Sequence, residues 1–597
     1  MRLSPNSEDA DKFRRLGVLN ITELALLIPS SFEDRRLSSE LTHNAPCVID
    51  ATVERVTRTP KTLRIVFFAH NLDEVIEGVI FNPKPYMMHA FVQGSRGFYG
   101  GKASWDTGKW ELIHPLKLSQ IGSIVPVYKT PLRADVMRRL AARYVSVENL
   151  LEEGLPPEVA KILYRLHFPA VPLALTEKEL RALKFAELYN YLRRLRKKRR
   201  YHPTSYRGAG DAKRWMKTLP FELTDDQKGA IEHIRRDLAG ENAARRMIVG
   251  DVGSGKTMVI LASAVLMRPY RSILMAPTTI LAAQLYEEAC KFLPDFKIAL
   301  VTNKSKKTSL DGYDFIIGTH ALLYRDLPEA GLVMVDEQHR FGTAQRHALS
   351  RITDNDSPPH YLQFSATPIP RTQAMIDSAH IDVSLIRQTP FAKNIQTRLI
   401  GKSGFPALLE HIRSEISQDR QILIIYPLVE QSEAINYQSI EEARGYWEKN
   451  FENVYVTHGR DKEKEAVLLQ FREHGSILLA TTVVEVGISL PRLSTVVIVG
   501  AERLGLSTLH QLRGRVSRTG LAGYCYLYTN TSGKNERLEA FSGCLNGFEI
   551  AALDLRYRQS GDLLEGNVQS GRAFRWVDMG SDEETVKEVV DYLKQKD

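Results

Sequence analysis

Cysteine is scarce in this chain, with four occurrences in 597 residues. No two of them have the spacing of a C-x-x-C pair, so the pattern indicates neither a zinc site nor a disulfide framework. We therefore predict ordinary buried thiols at all four positions. They are Cys47, Cys290, Cys525 and Cys544.

Long apolar runs are also absent. No stretch approaches the ~18 to 20 apolar residues that a membrane-spanning helix needs, and the first fifteen residues lack the apolar core of a secretory signal. These absences predict a soluble, cytosolic protein that has no membrane partner. The length exceeds the ~250 to 300 residues at which a single core stops growing, so we expect three or four domains.

The net charge of +9 favours a polyanionic partner, although many proteins of this charge bind none. Basic residues are densest in the segment 193–200, where seven of eight positions are Arg or Lys. This run has two interpretations, a solvated helix face or a contact with a phosphate backbone.

The pattern of apolar residues divides the chain into six segments. The first 36 residues have helical periodicity, which Pro29 interrupts, and five short β-like runs between Cys47 and Leu118 indicate a small barrel. After a return to helices, short apolar strands alternate with amphipathic segments twice over, which predicts an α/β fold with two tandem parallel-sheet lobes. The predicted segments are an N-terminal helical cap (1–45), a β-barrel (46–120), a helical linker region (121–218), a first lobe (219–387), a second lobe (388–530) and a C-terminal region (531–597).

A phosphate-binding loop follows one of the predicted strands. The sequence G-x-x-x-x-G-K-T comes directly after the strand Met247 to Val249 and opens an apolar helical segment. Glycines let backbone N–H groups cradle phosphates at a positive helix N-terminus, the lysine reaches the β and γ phosphates, and the threonine hydroxyl binds Mg²⁺. The loop consists of Gly250, Asp251, Val252, Gly253, Ser254, Gly255, Lys256 and Thr257.

Two carboxylates, Asp336 and Glu337, end a later apolar strand. The ends of parallel strands converge on the ligand crevice, so we expect both residues near the phosphate loop. There Asp336 would hold the metal ion and Glu337 would orient the water that attacks the γ-phosphate. On its own, such a pair would more often be a cap or a salt bridge.

Arg515 and Arg518 are candidates to stabilise the transferring phosphate. If their segment is helical, a separation of three residues places them on one face. An arginine finger of this kind can raise a rate by ~10³ to 10⁵. A surface stripe without function is the alternative.

Polar residues at other strand ends are candidates to grip a phosphodiester chain without reading its sequence. Each could instead be a commonplace turn or cap. These candidates are Thr278, Thr319, His320, Thr481 and Thr482. Gln227 precedes the phosphate loop and could bind an adenine edge, or could be an exposed glutamine at a helix start.

Seven motifs in this order resemble those of superfamily 2 helicases, and specifically the RecG family of branch-migrating DNA translocases. They are GDVGSGKT, MAPTTILAAQ, IIGTH, VDEQH, SATPIPRT, TTVVEVGI and QLRGRVSR. The resemblance covers nearly the whole chain and implies RecA-like lobes, an OB-like wedge formed by the barrel, and an ATP- and Mg²⁺-dependent helicase. The transcription-repair coupling factor shares the Asp336–His339 box but is far longer and carries other modules.

The resemblance also implies roles outside the nucleotide site. Phe81 and Tyr86 would stack on splayed bases at a fork, since an aromatic face stacks on any base for ~1 to 3 kcal/mol; a place in the barrel core or rim is the alternative. Arg556 and Gln569 would belong to a helical hairpin and loop that couple ATP turnover to translocation, the alternative being an ordinary C-terminal helical domain.

Three departures from the family pattern raise the possibility of weakened coupling. Ser489 replaces a usual acidic residue, Ser517 replaces a glycine, and Arg558-Gln-Ser560 interrupts a stretch that is commonly Arg-Gly-Pro or Arg-Gly-Ala. The metal carboxylate and the paired arginines are retained, so ATP binding is still expected.

The sequence therefore predicts an ATP-dependent translocase that acts on branched double-stranded DNA as a nucleoid-associated monomer. Single-strand-binding protein is a candidate protein partner. Two rival functions remain open: an RNA-directed helicase, and a junction-binding protein whose motor is degenerate.

Overall fold

The structure is a computed structural model. It describes residues 9–106, 108–171, 175–197, 199, 201–303, 305, 309–337, 341, 357–391, 393–428, 437–459, 461, 463–481, 490–516, 522–530, 534–565 and 574–596, with no side-chain description at 86, 88, 371 and 558–565. The chain forms two compact units. One comprises Met1–Tyr191, Phe574–Val577 and Gln595–Asp597; the other comprises Leu192–Ala573 and Asp578–Lys594.

A closed five-stranded barrel is the centre of the first unit. Its strands are β2 (Pro46–Arg58), β3 (Thr62–Ala69), β4 (Glu74–Phe81), β5 (Arg96–Asp106) and β6 (Lys109–Leu118), in the order β2-β3-β4-β6-β5. Alternate residues of the strands fill the interior, as a half-buried strand requires. Gly78 leaves room for the Phe67 ring there, since a Cβ at this position would lie 2.6 Å from Phe67 Cε2.

Helices and a small sheet complete the first unit. Two helices, α1 (Ala10–Leu16) and α2 (Ile21–Ala25), precede β1 (Ser31–Asp34), and a 3₁₀ helix spans Pro85–Ala90. After the barrel come β7 (Ile124–Val127), α3 (Ala134–Tyr144), α4 (Val147–Glu152), α5 (Pro157–His167) and α6 (Glu177–Arg196), of which the residues from Leu192 onward belong to the second unit. The helical character predicted for the N-terminal segment ends before Pro29, as its sequence indicates, since Ser31–Asp34 is extended and pairs antiparallel with β7.

The first lobe is a seven-stranded parallel sheet. Its strands are β8 (Arg245–Gly250), β9 (Ser272–Met275), β10 (Ile298–Val301), β11 (Phe315–Gly318), β12 (Leu332–Asp336), β13 (His360–Ser365) and β14 (Asp382–Ile386), in the order β10-β11-β9-β12-β13-β8-β14. Helices α7 (Ala212–Met216), α8 (Asp225–Leu238), α9 (Lys256–Met267), α10 (Thr279–Phe292) and α11 (Arg371–Asp377) and a 3₁₀ helix (His320–Tyr324) connect and flank them. Every residue of α9 from Met258 to Met267 is buried, so this helix is apolar on all sides.

The second lobe is a six-stranded parallel sheet. Its strands are β15 (Ile395–Ile400), β16 (Gln421–Ile425), β17 (Val454–Thr457), β18 (Ile477–Ala480), β19 (Leu493–Val499) and β20 (Gly523–Tyr528), in the order β15-β20-β19-β16-β18-β17. Its helices are α12 (Phe405–Ser417), α13 (Ile440–Asn450), α14 (Lys464–His474) and α15 (Leu506–Arg513), with 3₁₀ turns at Lys402–Gly404 and Ala501–Arg503. Three helices follow: α16 (Glu536–Gly543), α17 (Gly547–Glu565) and α18 (Glu583–Lys594). The barrel and the two parallel lobes confirm the fold class that the sequence predicts.

The cysteines fit the prediction of buried thiols only in part. Cys47 and Cys525 are buried, and burial raises their pKa to about 11 and about 12 respectively. The prediction is wrong for Cys290, which is exposed near the end of α10, and Cys544 is half-buried. In the described part of the chain, no group of three or more His, Cys, Asp or Glu residues could hold a metal ion, and no helix is long and apolar enough to cross a membrane.

Candidate nucleotide and nucleic-acid site

The predicted phosphate loop joins the end of β8 to the start of α9. Gly253 and Gly255 have left-handed backbone angles, with φ of 79° and 72°, which glycine adopts without the steric cost that a Cβ would bring. Gly255 caps α9, and Lys256 and Thr257 are the first two residues of the helix. The unsatisfied N–H groups of a helix start favour an anion at this position.

Lys256 points back over the loop. Its Nζ donates hydrogen bonds to the main-chain oxygens of Gly250 (2.9 Å) and Asp251 (3.1 Å). Burial lowers the pKa of Lys256, whereas the nearby Glu337, Asp336 and Asp251 act to raise it. The ammonium group is therefore largely withdrawn from water and close to acidic side chains, an environment that strengthens its attraction for phosphate.

Asp336 and Glu337 are nearly buried at the end of β12. Burial, together with repulsion from Glu337, raises the pKa of Asp336 to about 7 against the opposing effect of Lys256. Asp336 Oδ1 has no hydrogen-bond partner among the residues that the structure describes. A cation beside a buried carboxylate stabilises its ionised form.

Glu337 adopts a left-handed backbone conformation, with a φ of 50°. Its N–H donates to the carbonyl of Phe364 (2.8 Å), and its Oε1 accepts from the N–H of Ala366 (2.5 Å). Non-glycine residues in this region cost on the order of 1 to 3 kcal/mol and are concentrated at functional sites. The segment after β13 thus holds the Glu337 carboxylate in one orientation.

Gln227 supports the phosphate loop from α8. Its Oε1 accepts from the N–H of Thr224 (2.8 Å) in a capping box, and its Nε2 donates to the carbonyl of Ser254 (2.8 Å). The side chain is only 1% exposed, so the interpretation as an exposed helix-start glutamine is wrong. Both ends of the amide are occupied by protein atoms; recognition of adenine remains a prediction.

The arginines of the second lobe differ from the sequence expectation. α15 ends at Arg513, because Gly514 follows as its C-cap, so Arg515 lies in the turn after the helix and is nearly buried there. The condition that placed two arginines on one helix face is therefore not met by α15. Arg518 lies outside the described residues, as does Ser517.

Two of the predicted strand-end residues, Thr278 and Thr319, have local capping roles. Thr278 caps α10 by accepting from the N–H of Leu281 (3.3 Å), and Thr319 caps the 3₁₀ helix that begins with the half-buried His320. Thr481 is buried directly after β18. These residues follow the carboxyl ends of β9, β11 and β18. Thr482 and Ser489 lie outside the described part of the chain.

Phe81 is a rim residue of the barrel. It ends β4 with a side chain that is 51% exposed, and its ring meets that of His114 edge-to-face at 5.7 Å. The alternative of a barrel-core aromatic is therefore wrong for Phe81. Tyr86 belongs to the Pro85–Ala90 3₁₀ helix, but its side chain is not among those described.

The predicted coupling residues are only partly described. Arg556 lies on α17 and is exposed, whereas Gln569 is outside the described residues, and the side chains of Arg558-Gln-Ser560 are too. Asp554 on the same helix accepts from the N–H of Leu506 (3.1 Å), which joins α17 to the start of α15.

Part of the basic run at 193–200 contacts the protein itself. Arg196 donates to the carbonyl of Leu593 (2.8 Å), and Arg199 forms an ion pair with Asp382 (2.6 Å). These two side chains are therefore neither a purely solvated face nor free phosphate ligands.

Sequence reasoning missed two buried residues behind the phosphate loop, His510 and Arg513. The Asp251 side chain contacts His510 of α15, and His510 in turn contacts Arg513. Arg513 is fully buried and donates to the carbonyls of Phe541 (3.1 Å) and Cys544 (2.7 Å). The only local signal was a polar cluster in the motif of the second lobe, which does not reveal the distant partner.

Known helicases resemble both the two lobes and the chain as a whole. The DEAD/DEAH box helicase family matches residues 224–376, and the Helicase conserved C-terminal domain family matches residues 404–520. The chain is 42% identical to the ATP-dependent DNA helicase RecG of Helicobacter pylori, covering 98% of each protein, and 33% identical to RecG of Streptococcus pneumoniae, covering 94% of this chain and 90% of the relative. A structure of RecG bound to a three-way DNA junction matches with a TM-score of 0.56 and 26% identity, over 99% of this chain and 84% of that one.

Proposed function

Because the chain belongs to the RecG family of ATP-dependent DNA helicases, we propose that it moves along double-stranded DNA at branch points. Stalled replication forks, Holliday junctions and R-loops are the proposed substrates. One observation carries this step: a RecG structure that matches 99% of the chain is bound to a three-way DNA junction.

In the proposed ATP site, Lys256 binds the β and γ phosphates. An ammonium has three N–H groups. Two of them donate to the carbonyls of Gly250 and Asp251, and phosphate oxygens would accept from the third and share the other two with these carbonyls. The glycine-rich turn and the first N–H groups of α9 would surround the same phosphates. Gln227 keeps the loop in shape through its hydrogen bond to Ser254.

Asp336 at the end of β12 and Thr257 at the start of α9 have side chains that suit a magnesium ion. Asp336 offers a buried carboxylate oxygen that has no hydrogen-bond partner within the described part of the chain, and Thr257 offers a hydroxyl in the first turn of α9. Hard oxygen ligands of this kind suit Mg²⁺. When bound, Mg²⁺ neutralises charge that develops on the phosphates.

Glu337 and Arg515 complete the proposed catalytic group. Glu337, fixed by Ala366, would orient the attacking water and accept its proton. Arg515 would approach the γ-phosphate from the second lobe, and Arg518 is proposed for the same role. Closure of the two lobes would bring these parts together in each cycle.

The remaining predicted residues are proposed to contact DNA. Thr278, Thr319, His320, Thr481 and Thr482 would grip the phosphodiester chain at the strand ends of the two lobes. Phe81 and Tyr86 would stack on bases at the branch. Arg556 and Gln569 would couple lobe movement to DNA movement, in a monomer that single-strand-binding protein could recruit.

ATP hydrolysis measured side by side with four nucleic acids tests this function. We expect forked DNA to stimulate turnover most, linear duplex less, and single-stranded DNA and RNA least, because only a fork offers both a duplex track and a branch. Stronger stimulation by RNA would instead indicate an RNA-directed helicase. Tight fork binding without turnover would indicate a degenerate motor.

A further inference from the structure

The carboxylate of Asp251 accepts hydrogen bonds from the phosphate loop and from segments that follow the first lobe, which are together called the second half of the motor. This carboxylate and its four donors form a hub. Oδ1 accepts from the N–H of Val252 (2.6 Å) and from Nε2 of His510 (2.5 Å). Oδ2 accepts from Nζ of Lys393 (2.7 Å) and from the N–H of Gly547 (3.1 Å). One donor belongs to the loop, and the other three lie in the linker between the lobes, in α15 and at the start of α17.

Asp251 is buried, and the negative charge of its carboxylate is paired with the positive charge of Lys393. Burial acts to raise the pKa of Asp251, but hydrogen bonds from His510 and Lys393, together with the positive charge of Lys393, outweigh it and hold that pKa below its usual range. Asp251 is therefore a carboxylate that can accept from all four donors at once. An ionised side chain is retained in such a place only when it is paired in this way.

The partners of His510 fix which ring nitrogen carries the proton. Arg513 has only donors, so its contact with His510 Nδ1 (3.2 Å) requires that this nitrogen accept. Burial lowers the pKa of His510, which also favours the neutral ring. The proton then lies on Nε2, and this N–H donates a hydrogen bond to Asp251. Arg513 thereby orients His510 toward the loop.

Two glycines allow the second half of the motor to approach the loop this closely. A Cβ on Gly547 would lie 2.5 Å from Asp251 Oδ1, and a Cβ on Gly514 would lie 2.7 Å from Cγ1 of Val252. The backbone at Gly547 and Gly514 therefore packs directly against the side chains of Asp251 and Val252, which are neighbours in the loop. A larger side chain at either glycine would push the loop and the lobe apart.

We propose that Asp251 is a positioning residue that transmits the arrangement of the second lobe to Lys256. The side chain of Asp251 binds the second lobe, while its own carbonyl accepts from the Lys256 ammonium (3.1 Å). Movement of α15, Lys393 or the start of α17 would therefore move the Asp251 carbonyl, which accepts a hydrogen bond from Lys256. This inference rests on the proposed ATP site and adds a residue through which DNA bound across the lobes can control it.

The test is steady-state ATP hydrolysis by the full-length chain, with and without saturating forked DNA. Lys393→Met and His510→Leu each remove one donor from the hub. We expect each to reduce the stimulation by DNA at least about fivefold, the lower end of ordinary coupling between sites. The KM for ATP should change by less than about twofold, because neither partner belongs to the proposed phosphate site.

Conservative variants and a matched control separate positioning from folding. Lys393→Arg and His510→Gln retain a donor and should restore most of the stimulation. Arg387→Met removes an exposed positive charge from the same linker and should leave stimulation unchanged. Because Asp251 is the common acceptor, Asp251→Asn combined with Lys393→Met should be no worse than Asp251→Asn alone.

Three results would overturn the proposal: equal losses with and without DNA, effects that multiply in the double variant, or normal stimulation in both donor-removing variants. These results presuppose a wild-type chain that responds to forked DNA. If the wild-type chain itself shows no stimulation, the proposed function fails, and this outcome is distinguishable from a failure of the hub alone.

Discussion

Glu337 combines a left-handed backbone with a carboxylate held by the N–H of Ala366. Glu337→Gln keeps an oxygen that can accept this hydrogen bond but removes the proton acceptor. We expect ATP hydrolysis to fall by about 10² to 10⁴-fold, the usual contribution of a general base, while ATP still binds. Turnover and nucleotide binding, measured on the same variant, check both halves of this prediction.

Glu329→Gln is the matched control for Glu337→Gln. Glu329 is an exposed acidic residue of the same lobe, so its neutralisation should leave turnover at the wild-type level. Loss of ATP binding in Glu337→Gln would show that the carboxylate holds the site together rather than acting on water.

For single residues, the sequence predicted the residue types of the site better than it predicted their hydrogen-bond partners. The phosphate loop and the Asp336–Glu337 pair were recognisable because their spacing follows from local strand and helix geometry. The contacts of Asp251 were not recognisable, since its partners Lys393, His510 and Gly547 lie 142, 259 and 296 positions away. Nothing in the local pattern distinguishes an aspartate that joins two lobes from one that faces water.

Elements were predictable where burial leaves a pattern. The five barrel strands and the central strands of both lobes are apolar runs or strict alternations, and the structure has them. The edge strands β10, β14 and β15 and the short pair of β1 and β7 were not identified. No residue of β1 or β15 is buried, and at least half of the residues of β7, β10 and β14 are only partly buried. β1 and β7 acquire their conformation by pairing with each other across some 90 positions of chain.

The aromatic residues at the barrel rim are predicted to act at the DNA branch. Phe81 ends β4 with a half-exposed ring, and Tyr86 follows in the 3₁₀ helix. Replacing both with alanine should spare ATP hydrolysis on linear duplex and impair fork unwinding by about 10-fold or more, because stacking on each base contributes ~1 to 3 kcal/mol. Unwinding assays on forks and hydrolysis assays on duplex test this together.

Phe68→Ala is a suitable control for the rim variant. Phe68 is a half-buried aromatic of β3 in the same barrel, so its loss alters the barrel without removing the predicted rim pair. A rim variant that loses hydrolysis on linear duplex as strongly as fork unwinding would contradict the wedge role.

For the whole molecule, the matches to RecG and the geometry of the motor support the same account. The two parallel sheets supply a loop, a lysine and two strand-end carboxylates on one lobe, and a buried arginine and histidine on the other. A net charge of +9 suits a chain that binds a polyanion, and it predicts binding that weakens as salt rises. We expect ATP turnover at Lys256 to drive movement along branched DNA.

The most direct measurement is ATP-dependent unwinding of a labelled three-way junction by the wild-type chain and by Lys256→Ala. Wild type should separate the strands only with ATP and Mg²⁺. Lys256→Ala should bind the junction but lose unwinding and hydrolysis by about 100-fold or more, the scale on which a preorganised charge stabilises developing negative charge. Unwinding by Lys256→Ala at the wild-type rate, or by wild type without ATP, would contradict the account.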